Sequence, residues 1–197
     1  MQLSDPDPLL DAEAGIDALH ALTGMARSRT ARHLGLTTSR IEWQSAIRAR
    51  AMRLPDAPAG AAYCAVPAEV ALTLAQMEHR IRIASEIPKD GCLFAEVEAH
   101  ERRHVAVNRD ALRTAARQMR VAAEAWAGTA EGRGPSPEAA LEALRQGLRR
   151  AIEPAMTRMR EAQARGHAAI DTPAEYRRLA RVCPDDQAVL AERLRGG

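Results

Sequence analysis

Aromatic side chains are scarce: 197 residues include two Trp, two Tyr and one Phe. The core must come from Ala, Leu, Val, Ile and Met, and an Ala- and Arg-rich chain of that kind favours helix. No apolar run approaches the roughly 20 residues that cross a bilayer, so no membrane span is expected. Charge of one sign is not concentrated either, since 28 basic and 26 acidic residues leave a formal net charge of +2. Phosphate binding wants a concentrated basic surface, so nucleic acid is not the expected partner. The Arg residues between 145 and 160 alternate with Leu and Met positions and read as a solvated helix face. Residues 1–8 show neither the basic nor the apolar region of a secretory signal. The chain as it stands therefore reads as cytoplasmic, or as the mature form of an exported protein. None of the three cysteines, Cys64, Cys92 and Cys183, forms a CxxC pair, which excludes a cysteine zinc ribbon.

What is present is ordered by period. Ile16, Leu19, Leu22 and Met25 have helical spacing within about 11–33, and 36–53 fits helix or strand. The run Leu54-Pro55-Asp56-Ala57-Pro58-Ala59-Gly60 is a loop, which sets an N-terminal helical extension, 1–60, apart from the rest, 61–197. Alternation at Val70, Leu72 and Leu74, and again at Ile81 and Ile83, predicts two antiparallel strands, about 68–76 and 79–86, with a turn between them. Cys64 and Cys92 flank this pair, as either a disulfide or two buried thiols. A helix free of Gly and Pro should span about 93–127. A second runs from Pro137 to about 165, capped by Ser136, interrupted by Pro154 and closed by Gly166. Thr172-Pro173-Ala174-Glu175 has capping-box spacing and opens a shorter helix.

The chemistry lies in His100-Glu101-Arg102-Arg103-His104. Histidines at i and i+4 share one helix face, so both imidazoles can reach a single ion. Zinc held this way activates water, and the Glu beside the first ligand serves as general base. Arg102 and Arg103, between the Glu and the second His, must point outwards or snorkel. For a third ligand the sequence offers Glu175, Asp171, Glu161 and His167. Glu175 is chosen here, although it also suits the capping box, Glu161 reads as a solvated helix residue and His167 as a surface residue. Tyr176 is placed to donate a hydrogen bond to a tetrahedral oxyanion.

A Cys before a strand pair, Arg82-Ile83-Ala84-Ser85-Glu86-Ile87-Pro88, Gly91-Cys92 and the Ala99–Val105 helix resemble an uncharacterised bacterial family described as secreted zinc-dependent proteases. The likeness covers roughly 62–115, with a weaker echo at 167–183. It implies His100 and His104 as zinc ligands, Glu101 as base, a Cys64–Cys92 disulfide and a periplasmic or secreted location. The expectation is an α+β domain, mainly helical, with a small antiparallel sheet packed beside a zincin-like helix and a long helical hairpin. Its expected activity is Zn²⁺-dependent hydrolysis of a peptide or protein substrate. The alternative is a non-catalytic helical scaffold with a vestigial or structural metal motif, offering exposed Met156 and Met159 to a partner.

Overall fold

The computed structural model describes residues 1–23 and 33–196. The elements are β1 (Gln2–Ser4), β2 (Leu9–Asp11), α1 (Ile16–Thr23), β3 (Gly35–Arg53), β4 (Tyr63–Ile83), α2 (Cys92–Ala127), β5 (Gly132–Gly134), α3 (Pro137–Ile170), α4 (Pro173–Leu179) and α5 (Pro184–Gly196). Helix makes up 54% and strand 26% of the described residues, in keeping with the mainly helical character expected from composition.

The sheet does not match the small antiparallel one expected. Its five strands centre on β4, and both N-terminal strands pair with β4 in parallel: Gln2 opposite Thr73, and Leu9 opposite Arg80. Pro6 and Pro8 lie between these pairings. Proline has no N–H to donate to a ladder, which accounts for two three-residue strands in place of one long one. Only β5 pairs with β4 in a described antiparallel register, Tyr63 opposite Gly134. β4 itself is one strand of 21 residues, with no turn at 75–79. Its buried positions run Leu72, Leu74, Gln76 and then His79, Ile81, Ile83, so the inward phase slips by one residue. Glu78, at φ 51°, marks the slip. An extra residue taken up as a bulge resets the phase just as a turn would, and alternation alone does not separate the two.

Two compact units are built from interleaved segments. The first comprises 1–5, 41–75 and 110–162. Its core joins Leu72 and Leu74 of β4 to Leu112, Ala115 and Met119 of α2, and to Leu148, Ile152 and Met159 of α3. Met156 and Met159, expected at the surface in the scaffold reading, are 5% and 4% exposed and belong to this core. The second unit comprises 6–40, 76–109 and 163–197. Here Ile16 and Leu19 of α1 meet Ile81 and Ile83 of β4 and Leu93, Val97 and Val105 of α2. Leu22 is exposed, and Met25, with the predicted helix beyond residue 23, lies outside the described residues.

Gly166 does not close α3, which continues to Ile170. Its lack of a side chain serves packing instead: a Cβ there would lie 2.5 Å from Val107 Cγ1 of α2. Gly166→Ala should therefore destabilise the protein by about 1–3 kcal/mol, despite the better helix propensity of Ala. Urea unfolding would show this as a lower midpoint at unchanged slope. An unchanged or raised midpoint would contradict the close approach.

Candidate metal centre

The site grows out of two helical stripes of the second unit. Along α2 the buried positions Val97, His100, Glu101, His104, Val105 and Asn108 recur at three- and four-residue steps. The face is continuous, but its middle is polar. Buried polar groups need partners, because an unpaired one costs on the order of 1–3 kcal/mol. Gln163 and His167 of α3, with Asp171 just beyond it, stand at the same four-residue step and supply them.

His100 Nε2, His104 Nε2 and Asp171 Oδ1 form a triangle, each pair 3.2 Å apart. Three ligands of a tetrahedral ion with bonds near 2 Å would be separated by about 3.3 Å. This group can hold a metal ion. Two imidazoles and one carboxylate suit zinc or another divalent first-row ion better than they suit calcium. Burial pulls against ionisation of Asp171, yet hydrogen bonds from His100 and His104 outweigh it and hold the carboxyl well below the usual range. For His100, burial works against the charged form, while the Asp171 hydrogen bond and the Glu101 charge prevail and raise its pKa.

Each histidine is also held from behind. His100 Nδ1 lies 3.4 Å from Glu175 Oε1, and His104 Nδ1 lies 2.8 Å from His167 Nδ1. Glu101 is 4% exposed. The Thr37 hydroxyl donates to its Oε2 at 2.7 Å, and Gly35 comes so close that a Cβ there would lie 2.6 Å from its Oε1. Burial raises the Glu101 pKa, against the Thr37 hydrogen bond and the neighbouring histidines. Tyr176 stands beyond His100, with ring centroids 6.3 Å apart. Burial and the adjacent Asp171 carboxylate raise the Tyr176 pKa, so its hydroxyl stays a proton donor. Arg102 pairs with Glu98, while Arg103 pairs with Glu175 and donates to His100 Nδ1 at 2.9 Å, on the side of that ring away from the triangle.

Several expected roles move. Glu175 is not in the group that could hold a metal ion, whereas Asp171 is. The Glu175 backbone N–H donates to the Thr172 hydroxyl at 3.2 Å, forming half of the predicted capping box, while its carboxylate bridges Arg103, Arg178 and His100. Glu161 falls on the part of α3 in the first unit and is not in the group. His167 is a half-buried helix residue against His104, not an isolated surface one. The disulfide also differs. Cys92 bonds to Cys183, with Cα atoms 5.7 Å apart, and Cys64 is a buried free thiol. With β4 running as one strand there is no hairpin to bring Cys64 and Cys92 together. Cys92 begins α2, and Cys183 precedes α5, whose Asp186 accepts from the Leu93 N–H at 2.8 Å. A disulfide points to an oxidising compartment.

The ion pairs of Glu175 carry a pH signature. The Arg178 hydrogen bond, joined by His100 and Arg103, outweighs the opposing effect of burial and pulls the Glu175 pKa down to about 2. A depressed carboxyl pKa stabilises the fold above its ordinary value and ceases to do so as pH falls through the folded one. The gap in thermal midpoint between wild type and Glu175→Gln should therefore be widest above about pH 5 and shrink toward pH 2. A gap that does not change with pH would mean that the Glu175 charge adds nothing.

The sequence reading missed Thr37, Asn108 and Gln163 altogether. Asn108 could have been found, since it extends the His100, His104 series by another four residues. Thr37, 64 residues from Glu101 along the chain, gives no such local signal. No helix among the described residues is long and apolar enough to cross a membrane. Among protein-family models, curated proteins and solved structures, none matches this chain.

Proposed function

We propose that this protein is a zinc-dependent hydrolase that cleaves peptide bonds and works outside the cytoplasm. The observation that carries the reading is the equal-sided triangle of His100 Nε2, His104 Nε2 and Asp171 Oδ1, with edges of 3.2 Å and Glu101 buried on the same helix face. Three protein ligands, the number in this group among the described residues, are what catalytic zinc sites use; structural ones are closed by four. Zinc bound there would polarise a substrate carbonyl and make water a nucleophile near neutral pH.

The remaining work falls to the chain. Glu101, with its pKa raised by burial, accepts the proton of the attacking water and returns it to the leaving amine. Thr37 fixes one carboxylate oxygen and leaves the other to the reaction. Tyr176 keeps its proton and donates a hydrogen bond to the oxyanion. Glu175 holds the Arg103 guanidinium that reaches His100 Nδ1 at 2.9 Å, and together they fix the ring from behind with Nε2 toward the triangle. The Cys92–Cys183 disulfide supports an exported protein, in keeping with the resemblance to secreted proteases.

The decisive experiment is metal content after chelation and reloading, wild type beside Asp171→Ala and Glu175→Ala, followed by cleavage of a peptide library. One zinc per wild-type chain, lost with Asp171→Ala but kept at weaker affinity with Glu175→Ala, is expected. Zinc uptake unaffected by Asp171→Ala, or none in wild type, would overturn the assignment.

A further inference from the structure

Behind His104 lies a short relay of hydrogen-bonding groups. His104 Nδ1 and His167 Nδ1 are 2.8 Å apart. Two imidazole nitrogens at that separation share one proton, so one donates and the other accepts. Which is which follows from the far side of His167. Its Nε2 lies 3.1 Å from Asn108 Oδ1, an acceptor that also takes the Gln163 Nε2–H at 3.0 Å. His167 thus carries its proton on Nε2, leaving Nδ1 as a lone pair. His104 must then donate from Nδ1, which leaves its own Nε2 bare and facing the triangle. Because His167 meets the rear nitrogen of His104, it is not a competing ligand.

We propose that His167, oriented by Asn108, is a positioning residue that holds His104 in the Nδ1–H form and aims its Nε2 lone pair at a divalent metal ion. This rests on the metal-centre reading above. The two ligand histidines are thereby backed differently, His100 by the ion-paired Arg103 and Glu175 and His104 by an imidazole.

The test is the affinity of the full-length, disulfide-intact protein for Zn²⁺, by competition with a chromophoric chelator. His167→Phe keeps the ring volume but offers no acceptor, and should weaken zinc by about 10–100-fold, the usual cost of removing a ligand's hydrogen-bond partner. His167→Asn restores an acceptor oxygen near the Nδ1 position and should recover most of the affinity. If His167→Phe fails to unfold cooperatively, Asn108→Leu, which leaves the His167 ring in place but frees its orientation, carries the same expectation of weaker zinc. Wild-type affinity in His167→Phe would overturn the proposal while leaving the metal centre intact. Equal losses in His167→Phe and His167→Asn would assign His167 to packing and overturn it too. Absence of zinc from wild type would remove the metal centre and this proposal together.

Discussion

Glu101→Gln should reduce peptide hydrolysis by about 10²–10⁴-fold, the range a positioned general acid–base residue contributes, while zinc content stays at the wild-type level. Gln matches Glu in shape, and the Thr37 hydroxyl that now donates to Oε2 can donate to an amide oxygen instead. None of the triangle atoms is altered, so metal binding is a fair internal control. The same substitution should act on stability in the opposite sense. Burial raises the Glu101 pKa, so above its ordinary value the ionised carboxylate weighs against the folded state. A neutral amide removes that cost, and the metal-free variant should unfold at a temperature no lower than wild type at pH 7. Lost activity with retained or raised stability is the pattern of a residue kept for chemistry. Activity within a few-fold of wild type would remove Glu101 from the reaction.

How far the site could be read from sequence follows from the range of each interaction. His100, Glu101 and His104 are a five-residue pattern on one helix, and helix geometry alone brings them together. Asp171 was one of four candidates, and choosing among them required knowing that α3 passes through Gly166. In isolation a Gly near a helix end reads as a stop. Only the packing of Val107 against it shows that the helix continues and carries His167 round to the α2 face. Followed on past Met159, the α3 stripe reads Gln163, His167, Asp171, and it turns polar where the α2 stripe does. That correspondence is present in the sequence, but it is visible only once the two helices are known to face each other. The sheet failed for a similar reason. Alternation locates buried positions without saying which strand lies alongside, and the partners of β4 include two three-residue strands with no period of their own.

The cysteines give the second large effect, with two expected pairings to separate. Breaking the Cys92–Cys183 bond releases a loop of 91 residues, for which chain entropy gives a loss of about 4.6 kcal/mol. Against a typical stability of about 5–15 kcal/mol, such a loss leaves the fold marginal. Cys92→Ser and Cys183→Ser should therefore show equal, large drops in urea midpoint, and the double variant should be little worse than either. Cys64→Ser only replaces a buried thiol and should cost much less, about 1–2 kcal/mol for placing a hydroxyl there. A Cys64–Cys92 bond would make Cys64→Ser and Cys183→Ser trade places: Cys64→Ser would then match Cys92→Ser, and Cys183→Ser would be mild. The bond also bears on the metal centre. It fastens the first residue of α2, two turns before His100, to the segment that follows Asp171, Glu175 and Tyr176. Reduction should thus weaken zinc binding as well as stability, and zinc added in excess should return part of the lost stability to the reduced protein, because a ligand that binds only the folded state shifts the equilibrium toward it. Reduced and oxidised protein with the same zinc affinity would show that Arg178–Glu96 and the Asp186 cap hold the arm without the disulfide.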